Sequence, residues 1–567
     1  MNMNLPQQLC RILALASLVL APAVHTQTYL SWTGGAGNFY TANNWNPAMV
    51  PGVDEVAVIN NGGTATIASD AGEHQLSGVI LGDTQGTTQS GHIVMNGGFL
   101  RIGATLGDPK VRIGDGTVES SFIMNGGTIY FDGPDEPSLA GSRSAAGINE
   151  LDWEVGERGV GRFEMHGDSV FRAGDDLKIA ENAAGHGYCL IAGNARLSVG
   201  SGISLSSGGT NEQIMIVAGN AIVDSGNSMG AGNPAGHTDE GYLTLSIGGG
   251  RATFTVQDDA TFNFQVLSSR QGVTLFTVKD RGQVHIFDVL LGRGYIDDQT
   301  PPDRPEIASG FRNSLSSGPE TDSTLILQDE AQMTVNAVNG LGISGPRGSA
   351  DPGGKAVMIV RDSASFRVEQ YLAVGTGNNA ATTDGTLEVR GPDATVSIGG
   401  NLNLAVDPDG SVPTTDQAPG TATLHAVITD STHSTVQVDG IARISQGILK
   451  VSLDGYTPRG GESYRLIQGG TVEGEFRLTD TTDALLAEGL SWEVEYAADA
   501  VLLNVAGGPA ETTITVSRSG DDIVLSWTGA GTLERSDTVT GGWSAITGAA
   551  SPYTTQATGV TGFFRVR

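Results

Sequence analysis

The stretch Ile-Val-Met-Asn-Gly-Gly-Phe-Leu-Arg-Ile at residues 93–102 decides the fold class, because its pattern returns along the chain. It recurs as Phe-Ile-Met-Asn-Gly-Gly-Thr-Ile-Tyr-Phe at 122–131 and as Phe-Glu-Met-His-Gly-Asp-Ser-Val-Phe-Arg at 163–172. Each copy joins two strands of alternating apolar residues through a turn that contains Gly or Asp. One such unit cannot bury its apolar face alone and must stack on its neighbours. The pattern therefore predicts a solenoid.

The turn residues of the copies give the period of the repeat. They are Gly97, Gly126, Gly167, Gly193, Gly219, Asp258, Asp280, Asp329, Asp362, Gly391 and Asp430. The shortest intervals, 22 to 29 residues, suit one coil of three short strands and three bends. Crossovers between parallel strands are strongly right-handed. The sequence therefore predicts an all-β protein whose main part is a right-handed parallel β-helix, with loops in the longer intervals.

The composition agrees with a thin core. The chain has 82 glycines among 567 residues and only 6% aromatic residues, so it has few large side chains for one globular core. A solenoid needs only a narrow column of Val, Ile, Leu and Ala. Apolar alternation that persists over residues 93–435 excludes a Gly-rich disordered chain.

The charge balance limits the partners. With 62 acidic and 31 basic residues, the net charge is −31, and the resulting field repels nucleic acid and anionic membrane surfaces. Two interpretations stay open. The charge either keeps a surface-exposed protein soluble or binds divalent cations along acidic loops.

The N-terminus has the features of a secretory signal peptide over residues 1–26. Arg11 supplies a positive charge, residues 12–20 form an apolar run, and Ala21-Pro22-Ala23 resembles a cleavage site. No later segment is long and apolar enough to span a bilayer. The expected location is extracellular or at the cell surface of a bacterium.

Removal of the signal peptide would leave one cysteine, Cys189, so no internal disulfide is expected. It lies in the alternating stretch Tyr-Cys-Leu-Ile at 188–191, which predicts a buried core residue. A reactive thiol is the alternative.

Several segments resemble secreted bacterial β-helix proteins that carry autotransporter-associated-type strand repeats. They are the Trp-Thr-Gly-Gly opening within 30–46, Val-Pro-Gly at 50–52, Val-Gly-Glu-Arg-Gly-Val-Gly-Arg-Phe at 155–163, and the segments 456–467 and 489–496. This resemblance implies a surface or adhesin-like protein. The segment after the repeats is too short for the membrane barrel of true autotransporters, so we expect a protein of this kind without a barrel.

Gly and Pro in the stretch Ala-Gly-Gly-Pro-Ala-Glu at 506–511 indicate a linker. The four candidate strands that follow resemble a short fibronectin-III-like module, a small β-sandwich. The expected organisation is a signal peptide (1–26), an N-terminal cap (27–60), β-helix repeats (61–505), a linker (506–511) and the C-terminal module (512–567).

One segment matches the serine-hydrolase motif Gly-x-Ser-x-Gly. It is Gly226-Asn227-Ser228-Met229-Gly230, with His237 and Asp239 shortly after. A chain this rich in Gly and Ser produces such a match by chance. The motif also needs a helix after the serine, and Ala-Gly-Asn-Pro-Ala-Gly at 231–236 prevents one.

Metal binding has one candidate segment. Asp407-Pro408-Asp409-Gly410, with Asp416 beyond, resembles part of a calcium loop, but its prolines favour a solvated turn. Calcium stays open, and no other cofactor is expected. The histidines show no spacing typical of zinc sites.

Two acidic segments could serve a polysaccharide lyase or hydrolase, because such chemistry uses carboxylates. The segment 293–321 contains Tyr295, Asp297, Asp298, Asp303, Arg304 and Glu306. The second segment contains Glu150, Asp152, Glu154 and Glu157. Nothing in the spacing makes these carboxylates converge, so the sequence assigns no catalytic, cofactor-binding or metal-binding residue.

The sequence thus favours an exported structural or adhesion protein over an enzyme. Its expected partners are extracellular polysaccharide or cell-surface components, and not nucleic acid. The first alternative is a polysaccharide lyase or glycoside hydrolase on a β-helix scaffold. The second is a calcium-dependent carbohydrate-binding protein.

Overall fold

The protein is all-β, as the sequence predicts. The computed structural model describes residues 28–567 except 83–88, 104–110, 132–151, 175, 181, 183, 201, 206–210, 227–240, 247, 270, 288–319, 337–339, 345–353, 377–382, 407–419, 508–512, 530 and 559–560. The helical element that lies wholly within these described residues is the 3-10 helix Ala42–Asn44.

The strands are short and follow one another along the whole described chain. The first are β1 Thr28–Trp32, β2 Ala36–Asn38, β3 Trp45–Asn46, β4 Glu55–Ile59, β5 Thr64–Ile67, β6 Glu73–Leu76, β7 Gly78–Leu81, β8 His92–Ile102, β9 Val111–Ile113, β10 Ser120–Phe131, β11 Trp153–Val155 and β12 Val160–Met165. The next are β13 Val170–Ala173, β14 Leu177–Ile179, β15 His186–Ile191, β16 Arg196–Val199, β17 Ile203–Leu205, β18 Glu212–Val217, β19 Ile222–Ser225, β20 Tyr242–Leu245, β21 Arg251–Val256, β22 Thr261–Phe264, β23 Val266–Ser269, β24 Gly272–Val278 and β25 Gln283–Phe287. There follow β26 Thr321–Leu327, β27 Gln332–Asn336, β28 Leu341–Ile343, β29 Lys355–Val360, β30 Ser365–Val368, β31 Leu372–Val374, β32 Asp384–Arg390, β33 Thr395–Ile398, β34 Leu402–Leu404, β35 Thr421–Ile428, β36 Val436–Arg443, β37 Ile448–Leu453, β38 Ser463–Glu473, β39 Leu478–Asp483, β40 Leu490–Tyr496 and β41 Ala500–Gly507. The last are β42 Ile514–Ser519, β43 Asp522–Trp527, β44 Leu533–Ser536, β45 Ser544–Ala545, β46 Tyr553–Gln556 and β47 Phe563–Val566.

Strands β1 to β39, except β3, pair in three stacks of parallel strands. The first stack contains, in order, β2, β5, β8, β10, β12, β15, β18, β21, β24, β26, β29, β32, β35, β37 and β39. The second contains β6, the C-terminal halves of β8 and β10, then β13, β16, β19, β22, β25, β27, β30, β33, β36 and β38. The third contains β1, β4, β7, β9, β11, β14, β17, β20 and β23, and the series β28, β31 and β34. Between two successive strands of one stack, the chain passes through one or both of the other stacks. The arrangement is therefore solenoid-like.

The two ends of the stacks differ from the body, because there the pairing becomes antiparallel. At the start, β3 pairs antiparallel with β1. At the end, β41 pairs antiparallel with both β38 and β40. An open end of a stack would expose unpaired backbone groups to another chain. The antiparallel strands pair with such an edge at the start of the third stack and at the end of the second.

Inward side chains form one continuous apolar core. In the first stack, Phe163, Cys189, Met215, Phe254 and Phe276 follow one another in register, and all are fully buried. Burial raises the pKa of the Cys189 thiol, which makes it an inert core residue rather than a reactive one. The prediction of a buried Cys189 is confirmed.

Most of the predicted turn residues occupy one corner of the stack and have a left-handed backbone. In its N-terminal part the corner carries glycine, at Gly167, Gly193 and Gly219. Further on it carries aspartate, at Asp258, Asp280, Asp329 and Asp362, with φ between 56° and 59°. Aspartate tolerates this conformation better than most residues because its short side chain can form local hydrogen bonds. We name these two groups the glycine corner and the aspartate corner.

The aspartates also connect successive coils. Asp258 accepts a 2.8 Å hydrogen bond from the backbone N–H of Gly219. Asp329 accepts one of 3.1 Å from the N–H of Asp280, and Asp362 one of 3.2 Å from the N–H of Asp329. Each carboxylate therefore supplements the backbone pairing with the coil before it.

The C-terminal residues form two small antiparallel sheets of three strands each. One consists of β42, β43 and β46, and the other of β44, β45 and β47. They enclose a separate core built on Leu525, Trp527 and Leu533. Before them, β41 continues to Gly507, two residues into the predicted linker.

Candidate functional site

A column of charged side chains lies on the outward face of the third stack. Arg112 of β9 is in register with Glu154 of β11, which is in register with Lys178 of β14. Each is the middle residue of a three-residue strand whose flanking residues are fully buried and apolar. Side chains alternate between the two faces of a strand. Burial of the flanking residues therefore turns the three charged residues outward.

The next residues along the chain add two more carboxylates to the column. Gly114 and Gly156 follow their strands with φ of +81° and +70°. A Cβ at these positions would lie 2.1 Å from the carbonyl oxygen of Val160 and 2.0 Å from that of His186, so only glycine fits. The resulting turns place Asp115 and Glu157 beside Arg112.

Arg112 is the centre of this cluster. Its Nε lies 2.8 Å from Glu154 Oε2 and 2.9 Å from Glu157 Oε2, and its Nη1 lies 3.8 Å from Asp115 Oδ2. One guanidinium group therefore faces three carboxylates. Arg158 lies 3.4 Å from Glu157 Oε1 and is half-exposed.

The cluster is largely removed from water. The side chains of Asp115 and Glu157 are 4% and 7% exposed, and that of Glu154 is 14% exposed. Behind Glu154, Trp153 packs in the core with its ring centroid 4.5 Å from that of Phe171. Such aromatic pairs contribute about 0.5–1.5 kcal/mol beyond their burial, so the strand that carries Glu154 is firmly anchored.

Burial and a like-charged neighbour raise the pKa of Glu154 to about 8. Burial is the largest cause, followed by the hydrogen bond and charge of Glu157, and Arg112 only partly opposes them. At neutral pH, Glu154 is therefore largely protonated and can donate a hydrogen bond to Glu157. Chemically, this is a carboxylic acid and a carboxylate next to a guanidinium group, an arrangement suited to general acid–base catalysis.

The structure brings some of the sequence candidates together and separates others. Glu154 and Glu157 meet at Arg112, whereas Asp152 forms an ion pair of 2.6 Å with Lys178. The remaining candidates lie outside the described residues. They are Glu150, the candidates Asp297, Asp298, Asp303 and Glu306 of the segment 293–321, Ser228 with His237 and Asp239, and Asp407, Asp409 and Asp416.

Sequence reasoning missed Arg112, Asp115 and Lys178. A signal was present, because Arg112-Ile-Gly-Asp115 and Glu154-Val-Gly-Glu157 share the pattern charged, apolar, Gly, acidic. Recognising it required knowledge that the two segments occupy the same position of adjacent coils.

In the described part of the chain, no group of three or more His, Cys, Asp and Glu side chains is arranged to hold a metal ion. The same residues contain no helix with the length and apolar character needed to cross a bilayer.

Comparison with known proteins identifies no relative. No family model, no curated protein and no solved structure matches the chain.

Proposed function

We propose that residues 28–505 form a right-handed parallel β-helix that acts as an exported structural or adhesion rod at the bacterial surface. The observation that carries this proposal is the parallel stacking of the strands β1 to β39 other than β3, with antiparallel pairing at β1 and at β38. Fifteen strands of the first stack, spaced about 4.8 Å apart, would give a rod about 65 Å long. The resemblance to secreted β-helix proteins and the apolar N-terminal segment support export.

An adhesion rod of this kind would work through its geometry. Its many short stacked strands present outward side chains at a regular spacing, so an extended polymer can make many weak contacts along one face. The net charge of −31 keeps such a rod soluble and disfavours anionic partners.

The test has two parts, and each can fail separately. Small-angle X-ray scattering of residues 28–567 should give an elongated particle, and a compact sphere would contradict the rod. Size-exclusion chromatography with a panel of neutral polysaccharides, with and without calcium, should show intact polymer that co-elutes with the protein. Intact polymer that always elutes separately would contradict adhesion to polysaccharide.

A second candidate function is supported by the pair Glu154 and Glu157. A polysaccharide lyase can use a proton donor and acceptor near a basic residue, and this pair next to Arg112 has those groups. The two carboxyl groups share a hydrogen bond, so they lie closer together than the separation of about 5 Å or more that a glycoside hydrolase requires. Shortened polymer in the same chromatography would favour this function.

Three variants would then assign the activity. Glu154→Gln and Glu157→Gln should each lower the cleavage rate at least about 100-fold. Glu493→Gln changes an exposed carboxylate of β40 and should leave the rate unchanged. Equal rates in all three variants would exclude the cluster as the active site.

A further inference from the structure

Three side chains on the outward face of the first stack form a chain of hydrogen bonds. The Nε2 atom of His425 lies 2.8 Å from the Oγ atom of Ser452. The Nδ1 atom of the same ring lies 3.0 Å from Glu388 Oε2. A neutral imidazole that donates from Nδ1 to the carboxylate leaves Nε2 free to accept the hydroxyl proton of Ser452.

The three residues come from consecutive strands of the stack. Glu388 of β32 is in register with His425 of β35, which is in register with Lys450 of β37. Ser452 follows Lys450 by two residues and so lies on the same face of β37. Fully buried Leu424 and Leu449 hold two of these strands from the inside, so the backbone fixes the spacing of the three side chains.

The environment keeps Glu388 ionised. Burial alone would raise its pKa, but the hydrogen bond and charge of His425, together with Arg390, outweigh burial and lower it. Arg390 Nε lies 3.3 Å from Glu388 Oε1. An ionised carboxylate fixes the orientation of the imidazole ring and stabilises the imidazolium that forms when the ring takes up a proton.

We propose that Ser452, His425 and Glu388 are the nucleophile, general base and orienting carboxylate of a carboxylic-ester hydrolase site. Such a triad is recognised by its geometry and roles and not by the order of its residues in the chain. The proposal goes beyond the structural function proposed above, and neither depends on the other.

In the first half of the reaction, Ser452 Oγ attacks the ester carbonyl carbon while its proton passes to His425 Nε2. The tetrahedral intermediate then expels the alcohol, which takes that proton, and an acyl group remains on Ser452. In the second half, water gives a proton to His425 and its oxygen attacks the acyl carbon. The carboxylic acid leaves, and Ser452 recovers its proton.

Two features near Ser452 suit this chemistry. Lys450 places an ammonium group on the same face, with Nζ 2.9 Å from Asp483 Oδ2, and we assign it to stabilise the oxyanion. On the next strand, Asp480 pairs with Lys450 and Asp483 with Ser452, so β39 has one extra residue there. This bulge interrupts the regular pairing beside the serine.

The position of the site selects the class of substrate. Ser452 is half-buried on the outward face of a sheet, and the His425 side chain is 15% exposed. Such a face fits an extended polymer that carries short acyl esters better than a long acyl chain that needs a deep apolar pocket. The substrate class is therefore a short-chain carboxylic ester, such as an acetyl ester of a sugar polymer.

The test uses the mature chain and a fluorophosphonate probe, which reacts with activated serines, followed by mass spectrometry of the peptides. The probe should label the peptide that contains position 452 in the wild type and should not label that peptide in Ser452→Ala. His425→Gln should slow labelling and the hydrolysis of p-nitrophenyl acetate by about 100-fold or more. Glu388→Gln and Lys450→Met should slow hydrolysis as well.

Ser397→Ala is the matched control. Ser397 is a half-buried outward residue of β33, but its register neighbours are Arg367 and Gln437 instead of histidine. This variant should label and hydrolyse like the wild type. Circular dichroism checks that every variant stays folded. The proposal is overturned if Ser452 of the folded wild type stays unlabelled, or if it is labelled equally fast in folded His425→Gln.

Discussion

Glu154 and Glu388 are equally buried glutamates whose pKa values move in opposite directions. Their side chains are 14% and 12% exposed, and both lie on outward faces of parallel stacks. The pKa of Glu154 is raised to about 8, whereas that of Glu388 is lowered below its ordinary value. Burial raises the pKa of both, so the neighbouring groups make the difference.

The neighbours differ in charge. Glu154 shares one guanidinium, that of Arg112, with Glu157 and Asp115. Glu388 instead faces two groups that can be cationic, His425 and Arg390. The charges next to each glutamate therefore decide whether it holds a proton or keeps its negative charge.

Loss of the central arginine should have the largest effect. Arg112→Met would leave three nearly buried carboxyl groups without their shared cation, at a cost of about 3 kcal/mol. Arg390→Met is the matched control, because Arg390 is 33% exposed and should cost less than about 1 kcal/mol. Hydrogen exchange of the amides in 153–165 and 384–390 measures the two local effects. Equal losses at the two sites would contradict the comparison.

The two glutamates should make stability depend on pH in different ranges, Glu154 between pH 5 and 8 and Glu388 at acidic pH. Between its ordinary pKa of 4.5 and about 8, Glu154 holds a proton in the folded chain that the unfolded chain lacks. The stability of its region should therefore fall as the pH rises from 5 to 8 and level off above. Glu388 contributes stability that is present above its ordinary pKa and is lost as the pH falls through its lowered pKa.

Hydrogen exchange in denaturant between pH 3 and pH 9 would check both directions, because the loss of stability at Glu388 lies below its ordinary pKa of 4.5. Glu154→Gln should abolish the decline between pH 5 and pH 8 for the strands around 153–165. If this variant keeps the full decline, Glu154 is not the group that titrates.

A smaller change should follow from Glu157→Gln, which removes the like-charged neighbour but leaves Glu154 buried. The pKa of Glu154 should then fall but stay above 4.5, because burial is the largest cause of its rise. The decline in stability should shift to lower pH and become shallower without disappearing. Complete loss of the decline would assign the whole shift to Glu157.

The smallest effect is expected for His425→Gln at the other site. Removal of the imidazole takes away a hydrogen bond and a charge that lower the pKa of Glu388, so that pKa should rise. The acid-induced loss of stability around 384–390 should then begin at a higher pH. If the loss of stability at low pH begins at the same pH as in the wild type, Arg390 alone lowers the pKa of Glu388.

The sequence predicts the all-β class and most of one corner because both follow from local patterns. Gly193 and Asp280 can be identified as turn residues because each stands between two alternating strands. The prediction of left-handed turn residues still applies to Gly391, which has a positive φ. It is wrong for the next residue of the series, Asp430, whose φ is not positive. His425 follows Glu388 by 37 residues, whereas the predicted corner residues Gly391 and Asp430 are 39 apart.

That difference of two residues explains why the contact between Glu388 and His425 could not be read from the sequence. Register across a coil depends on how many residues each turn holds, and apolar alternation does not reveal this number. The same reason hides the meeting of Arg112 with Glu154, which lies 42 residues further along the chain. Local patterns give the strands, and the lengths of the turns decide which side chains meet.

The aspartate corner gives the stack a direction. Each carboxylate reaches back to the N–H group of the preceding coil, as Asp258 does to Gly219 and Asp362 to Asp329. A coil at this corner thus obtains one of its hydrogen-bond acceptors from the coil that follows it in the chain. Removal of one coil of the aspartate corner would therefore leave an N–H group of the preceding coil without its carboxylate acceptor.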